Sequence, residues 1–295
     1  MKITTLGLNE RAYIGRTQRE MLDYCRKRCL DLKSLSPDMI VFPEIVFIMY
    51  PEKEPLSYGE FFEMALAEMK ETARFVNSYL VFNLYEPAEE SEKRYISTYV
   101  LNRNGEVAGK YHKMYPTKGE MASGVVPGDL PGVIDTEFGR IGIATCFDIG
   151  FRSYWQSLAD LGAKAVIWTS AYDGGKLLDA YAVLHSYWVI SSVRTYRARI
   201  IDPAGRTVSE SARWDDLCMA DIDLDMELFH IDDQIPKIRE IRRVLGDKVK
   251  VDTLSEDNIF TVSSRDPEWS VERVKSEFGL VSCKEYHKEA ELLRK

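Results

Sequence analysis

The sequence predicts an α/β fold with a mixed sheet, and three observations carry that prediction. Short apolar runs rich in β-branched residues alternate with longer segments whose apolar residues recur at helical spacing. Asn102-Arg103-Asn104-Gly105 and Asp202-Pro203-Ala204-Gly205 each separate two strand-like runs, so two hairpins add antiparallel pairs to strands joined elsewhere through helices. Within Phe138–Phe151, FGRIGIATCFDIGF, the run Ile141–Thr145 loses period-two alternation, as a strand covered on both faces does.

Taken in order, residues 2–8 read as a first strand and Thr17 to about Ser34 as a helix carrying Met21, Leu22, Cys25, Cys29 and Leu32 on one face. Cys25 and Cys29 stand one turn apart with no second ligand pair nearby, which reads as core packing and not as a metal site. Met39–Phe42 is a buried strand that Pro43 ends, because proline cannot donate to a ladder. Gly59 to about Asn77 is an amphipathic helix with Phe62, Leu66, Met69, Ala73 and Val76 inward, and Tyr79–Tyr85 a strand. Tyr95–Leu101 and Val107–Tyr111 form the first hairpin, followed by a Pro/Gly-rich loop to Gly132.

After the central strand, Ser153 with Gln156 has capping-box spacing, predicting a helix to about Leu161 that Gly162 stops. Ala165–Trp168 and Trp188–Val193 are strands around a helix from Leu177 to about Ser186. Arg199–Ile201 and Thr207–Glu210 make the second hairpin, and Leu217–Ile222 is the last core strand. Beyond Asp225 the pattern weakens. Residues 226–295 read as a C-terminal arm with helices near 270–278 and 284–294, packing on the domain formed by 1–225 or on a partner subunit.

Composition narrows the function. The 295 residues are 45% hydrophobic and 29% charged, enough for a large core. A net charge of −8 argues against nucleic acid or an anionic membrane surface as partner. Five irregularly spaced cysteines are no disulfide framework, and neither a signal peptide nor a membrane-length apolar run is apparent, so a reducing, cytoplasmic setting is expected.

Three polar residues stand where strands end. Glu44 follows Phe42-Pro43 between apolar neighbours, Lys113 follows a hairpin strand, and Cys146 closes the central strand, where free backbone N–H groups can stabilise an anion. Taken singly, each has an ordinary reading: a buried structural thiol, a solvated strand-end lysine, a carboxylate at a solvated strand end. The chemistry joins them. A cysteine is only a few per cent thiolate at neutral pH, so a nucleophilic one needs a base or cation beside it.

In that order and spacing, VFPE (Val41–Glu44), GKYHKMYPTKGE (Gly109–Glu120) and FGRIGIATCFD (Phe138–Asp148) resemble the nitrilase superfamily, the carbon–nitrogen hydrolases, in its amidase-type branch. LGAKAVIW and IIDPAG are softer matches, and the likeness covers most of residues 1–225. The resemblance implies a four-layer α-β-β-α sandwich that pairs into homodimers or larger assemblies. It also implies a triad of Glu44, Lys113 and Cys146 supported by Glu120, acting on a small-molecule amide through a thioester with no cofactor or metal. Glu44 is then the proton carrier. Lys113, with the Phe147 backbone N–H, holds the oxyanion, and Glu120 orients Lys113, the substrate amine or the water. Trp168, Ser170, Ala171 and Tyr172, after the strand beside the nucleophile's, are expected to line the substrate pocket together with Phe147. Asp148 is expected to hold the turn after the nucleophile.

Two departures refine the expectation. Phe147-Asp148 after the cysteine resembles the Cys-Tyr-Asp of amidases more than the Trp-Glu of nitrilases, so amide hydrolysis is favoured over nitrile hydrolysis. The Arg that many relatives carry four residues past the nucleophile is Gly150 here, which puts dicarboxylate substrates in question. Acyl transfer by the same triad and a catalytically silent binding relative are the other readings.

Overall fold

A computed structural model of the chain describes every residue except 9, 14, 48–55, 90–92 and 295, and no side chains at 10 and 11. One sheet contains β1 (Lys2–Leu6), β2 (Met39–Val41), β3 (Tyr79–Pro87), β4 (Arg94–Leu101), β5 (Val107–His112) and β12 (Leu217–Asp221), in the order β12-β1-β2-β3-β4-β5. A second contains β6 (Gly132–Thr136), β7 (Gly139–Thr145), β8 (Ala165–Ser170), β9 (Trp188–Val193), β10 (Arg199–Ile201) and β11 (Thr207–Glu210), in the order β11-β10-β9-β8-β7-β6. Each has parallel strands at its centre and antiparallel pairs at its edges. The expected mixed sheet is therefore two mixed sheets.

The two sheets face each other, with β1 against β9 and β5 against β6. Helices cover the outer faces: α2 (Gln18–Leu32) and α3 (Tyr58–Val76) over the first, α5 (Arg152–Asp160) and α6 (Lys176–His185) over the second. The layers are α-β-β-α, and a short α1 (Glu10–Tyr13) precedes α2. The central strands are buried on both faces, which explains their unbroken apolar runs. Burying each large side chain of that core contributes about 1.5–3 kcal/mol, as for Trp155, Trp168, Phe42 and Phe82, all fully enclosed.

Several local expectations shift. Helix α3 buries Phe61, Ala65, Met69, Thr72, Ala73 and Val76, while Phe62 and Leu66 are only half-buried, so its inner face is rotated from the one read in sequence. A Ser57/Glu60 capping box sets its start. Helix α5 begins at Arg152 after Phe151 without a side-chain cap; Ser153 lies inside its first turn, and the Ser153/Gln156 spacing is not used as a cap. The loop before Gly132 contains α4 (Lys118–Ala122), capped by Thr117 and Glu120, and β6 follows it; neither was read from the sequence.

Residues 226–295 contain α8 (Val271–Phe278) and α9 (Cys283–Leu293), close to the two helices expected. They also contain α7 (Ile235–Leu245) and a third sheet, β13 (Glu227–His230), β15 (Ile259–Ser264) and β14 (Val249–Leu254) in that order, which the sequence reading did not anticipate. Phe229, Ile241, Phe260, Val262 and Val274 form a core of their own there. The antiparallel strands are short and half-exposed, so their alternation is diluted by charge. No helix among the described residues is long and apolar enough to cross a membrane.

Candidate active site

Glu44, Lys113 and Cys146 follow the C-terminal ends of β2, β5 and β7, and the facing of the two sheets brings their side chains together. Lys113 is fully buried, and its Nζ donates to Glu44 Oε1 at 2.8 Å and to Glu120 Oε1 and Oε2 at 2.9 and 3.0 Å. Burial alone would lower the ammonium's pKa; Glu44, the Cys146 sulfur and Glu120 outweigh it and raise it, so Lys113 is a fixed cation.

Backbone conformation aims the groups. Cys146 has φ +47° and Ile45, next to Glu44, has φ +45°, left-handed values that cost a β-branched residue most. Tight turns at both places carry the side chains off their strand ends toward Lys113. Cys146 begins a short 3-10 turn, Cys146–Gly150, whose first N–H groups, Phe147's among them, have no carbonyl within the turn to bond. Trp168 Nε1 donates to the Cys146 carbonyl at 3.1 Å. The Ser170 hydroxyl and the Ala171 N–H favour the ionised form of the Cys146 thiol.

Burial pushes the Cys146 thiol up to about 11, the Glu44 carboxylate adds to the rise, and Lys113 opposes it. The resting site holds a neutral thiol beside a carboxylate already bonded to an ammonium.

Glu120 is held by its own helix. Its Oε2 accepts the Thr117 N–H at 2.6 Å while its N–H donates to Thr117 Oγ1 at 3.2 Å, the reciprocal bonds of a capping box. The Thr-x-x-Glu spacing was legible in the sequence and is the signal that would have placed α4. Asp148 is fully buried and accepts from the Thr145 N–H at 2.7 Å, the Tyr115 N–H at 3.0 Å and the Tyr111 hydroxyl at 2.7 Å. Burial pushes its carboxyl up to about 7 against those donors. The sequence reading had Asp148 holding only its own turn; it also grips the Lys113 segment.

The residues expected to line the pocket divide. Phe147 and Tyr172 are 43% and 44% exposed, and the Tyr172 hydroxyl feels the Cys146 and Glu44 charges. Trp168 and Ser170 are fully enclosed; Trp168 bonds the Cys146 carbonyl, and Ser170 favours the ionised form of the Cys146 thiol. Ala171 contributes its backbone N–H. His112 pairs with Glu86 at 3.1 Å and stacks on Tyr95, away from Lys113's partners.

The sequence profile of the carbon-nitrogen hydrolase family matches residues 25–227. The deaminated glutathione amidase of Homo sapiens is 28% identical over 162 residues, 46% of this chain and 50% of that protein. The chain thus spans about half the length of these relatives in the match. A human omega-amidase is 24% identical over 226 residues, covering 68% of this chain and 77% of its own. Among solved structures, an amidase from Nesterenkonia sp. has TM-score 0.67 and 21% identity, with 81% of this chain and 95% of that one covered. A carbon-nitrogen hydrolase from Helicobacter pylori G27 has TM-score 0.67 and 18% identity, with 83% and 92% covered. These likenesses share the layered α-β-β-α architecture.

Proposed function

The chain belongs to the carbon–nitrogen hydrolase family, and from that premise we propose that it hydrolyses the carbon–nitrogen bond of a small non-peptide amide through a thioester on Cys146, releasing ammonia or an amine. The observation that carries this reading is the buried Lys113 ammonium clasped by Glu44 and Glu120 beside the Cys146 sulfur.

The roles follow from charge. With its thiol near pKa 11, Cys146 attacks only as its proton leaves, and Glu44 is the carboxylate poised to take it. The carbonyl oxygen becomes an oxyanion between Lys113 Nζ and the Phe147 N–H; a donor of that kind is worth about 100–1000-fold in rate. Glu44 then hands its proton to the departing nitrogen. In the second half-reaction it takes one from water attacking the thioester and returns it to the Cys146 sulfur as the C–S bond breaks, restoring the neutral thiol. Glu120 keeps Lys113 from following either proton. Phe147 and Tyr172 border the pocket, and Trp168, Ser170 and Ala171 set the sulfur in place. No step calls on a metal or cofactor.

The relatives' names, deaminated glutathione amidase and omega-amidase, support an amide as substrate. We read residues 1–225 as the hydrolase domain and 226–295 as a unit packed on it. We place the protein in the cytoplasm, in keeping with five unpaired cysteines. A homodimer or larger homo-oligomer is supported by Leu177, Val183 and Leu184 of α6, which are exposed. The net charge of −8 supports neither nucleic acid nor membrane as partner.

The test is ammonia release across a panel of amides and nitriles, with intact-mass detection of an acyl adduct. Wild type should turn over amides and carry the adduct, and Cys146→Ala should do neither. Turnover of nitriles alone, or equal inertness of both proteins with a Cys146 that resists alkylation, would overturn the proposal.

A further inference from the structure

We infer that Arg94 is a positioning residue: its guanidinium fastens the C-terminal end of α4, and through that helix it keeps Glu120 on Lys113. The inference rests on the amidase reading for the reaction that Lys113 serves, but not for the chain of contacts.

Helix α4 cannot hold itself in place. Its five residues, Lys118–Ala122, are too few for a stable isolated helix. None of them is buried, and Met121, its one large apolar side chain, is 44% exposed. Yet Glu120, on this helix, presents both carboxylate oxygens to Lys113 Nζ, at 2.9 and 3.0 Å. Packing of the helix does not supply that precision, so its ends must. Thr117 fixes the first end through the capping box.

Arg94, the first residue of β4, fixes the second end. Its Nη1 donates to the Ser123 carbonyl at 2.7 Å and its Nη2 to Ser123 Oγ at 3.1 Å, a planar fork on the residue that caps α4. Ser123 Oγ in turn donates to the Glu120 carbonyl at 2.8 Å. The backbones then run side by side: the Arg94 N–H donates to the Gly124 carbonyl at 3.1 Å, and the Val126 N–H to the Arg94 carbonyl at 2.8 Å. The path from guanidinium to ammonium passes through two residues, Ser123 and Glu120.

The guanidinium is itself aimed. Arg94 is 8% exposed, and its guanidinium carbon stands 4.7 Å from the centre of the Tyr58 ring and 4.6 Å from that of Tyr85, cation–π contacts on both. Tyr85 reaches the site as well. It packs against the cluster of Ile45, Ile96 and Val125, in which Ile45 follows Glu44 and the Ile96 carbonyl accepts the Lys113 N–H at 2.9 Å. Burial raises the pKa of the Tyr85 hydroxyl, the Arg94 charge opposes the rise and the Glu120 charge adds to it, so the phenol lies in the field of both. A lysine at 94 would keep the charge and lose the fork.

The test is a double-mutant cycle on Arg94 and Glu120. Its first readout needs no turnover: the rate at which iodoacetamide alkylates Cys146 at pH 8, followed by intact mass with Cys146→Ala as the blank. Glu120→Gln leaves the Lys113 charge less compensated, so the thiol ionises more readily and alkylation should quicken about 3–10-fold. Arg94→Gln should quicken it in the same direction, and the double variant should match Glu120→Gln alone. The second readout is kcat on the amide of the panel that wild type turns over fastest. Arg94→Gln should lower it about 10–100-fold with KM within about threefold, as a misplaced group does, and the double variant should again match Glu120→Gln. Arg94→Lys should recover part of the loss. Ser123→Ala, at an exposed position, removes one contact of the fork and should cost a few-fold in kcat, which keeps the inference open to refutation if Arg94→Gln fails to fold. A cycle that closes this way on alkylation in a protein inert to every amide would sink the amidase reading and leave the role of Arg94 standing. Effects that multiply in the double variant, or wild-type alkylation and kcat in Arg94→Gln or Ser123→Ala, would overturn it.

Discussion

Asp148 accepts the Tyr111 hydroxyl at 2.7 Å, and that bond ties the strand leading to Lys113 to the turn that begins with Cys146. Tyr111's oxygen in turn accepts the Met114 N–H at 2.9 Å, and Asp148 takes the Thr145 and Tyr115 N–H groups directly. Lys113 and Cys146 are thus each bracketed by backbone groups fastened to a single carboxylate. One buried carboxylate therefore fixes how the Lys113 and Cys146 segments lie against each other.

Asp148→Asn replaces one accepting oxygen with an amide that faces a backbone donor. Each buried group left unsatisfied costs about 1–3 kcal/mol, so a loss of about 2–4 kcal/mol in denaturant melts is expected, together with a drop in kcat. Tyr111→Phe removes only the cross-link and should cost about 1 kcal/mol. An Asn variant with wild-type stability and kcat would show that the two segments are held by other means.

Glu44→Gln is expected to abolish turnover and leave the fold intact, since Gln still offers an oxygen to Lys113. It should also lower the Cys146 pKa below about 11, because the Glu44 charge helps raise it while Lys113 lowers it. Titration of the thiolate absorbance in both proteins checks this. A variant that is inactive and has a more acidic thiol separates proton transfer from nucleophile ionisation; retained turnover would remove Glu44 from the mechanism.

Glu86 gives the fold a pH dependence away from the site. Burial would raise its carboxyl, but His112 and Lys110, the latter at 2.6 Å, hold it down to about 2. A depressed carboxylate contributes stability above its unfolded value, 4.5, which is lost as pH falls through about 2. Allowing for solvent screening, the contribution is on the order of 1–2 kcal/mol. Glu86→Gln should lower Tm at pH 7, and the gap to wild type should close between pH 4.5 and 2. A gap that stays constant across that window would assign the stabilisation to packing.

The sequence by itself determined most of the strands and helices of residues 1–225, and its resemblance to the carbon–nitrogen hydrolases pointed to the groups of the site. Strand ends, hairpins and helix stops are local events, written by proline, glycine and apolar period within a few residues. Hence β9, β10 and β11 fall on the residues expected, whereas Glu44, Lys113 and Cys146 are singled out by the resemblance of their motifs to the carbon–nitrogen hydrolases. The third sheet escaped because its strands are short and half-exposed, and a Thr-x-x-Glu cap went unread in a loop full of glycine and proline.

What only the tertiary structure decided is which distant groups face one another. Nothing local in Thr-Cys-Phe-Asp says that Asp148 grips Tyr111, or that Trp168 bonds the Cys146 carbonyl instead of lining a pocket. Those relations depend on strand order and register across two sheets. They are settled by the burial of the whole core, and a shift of one residue would turn each side chain to the opposite face.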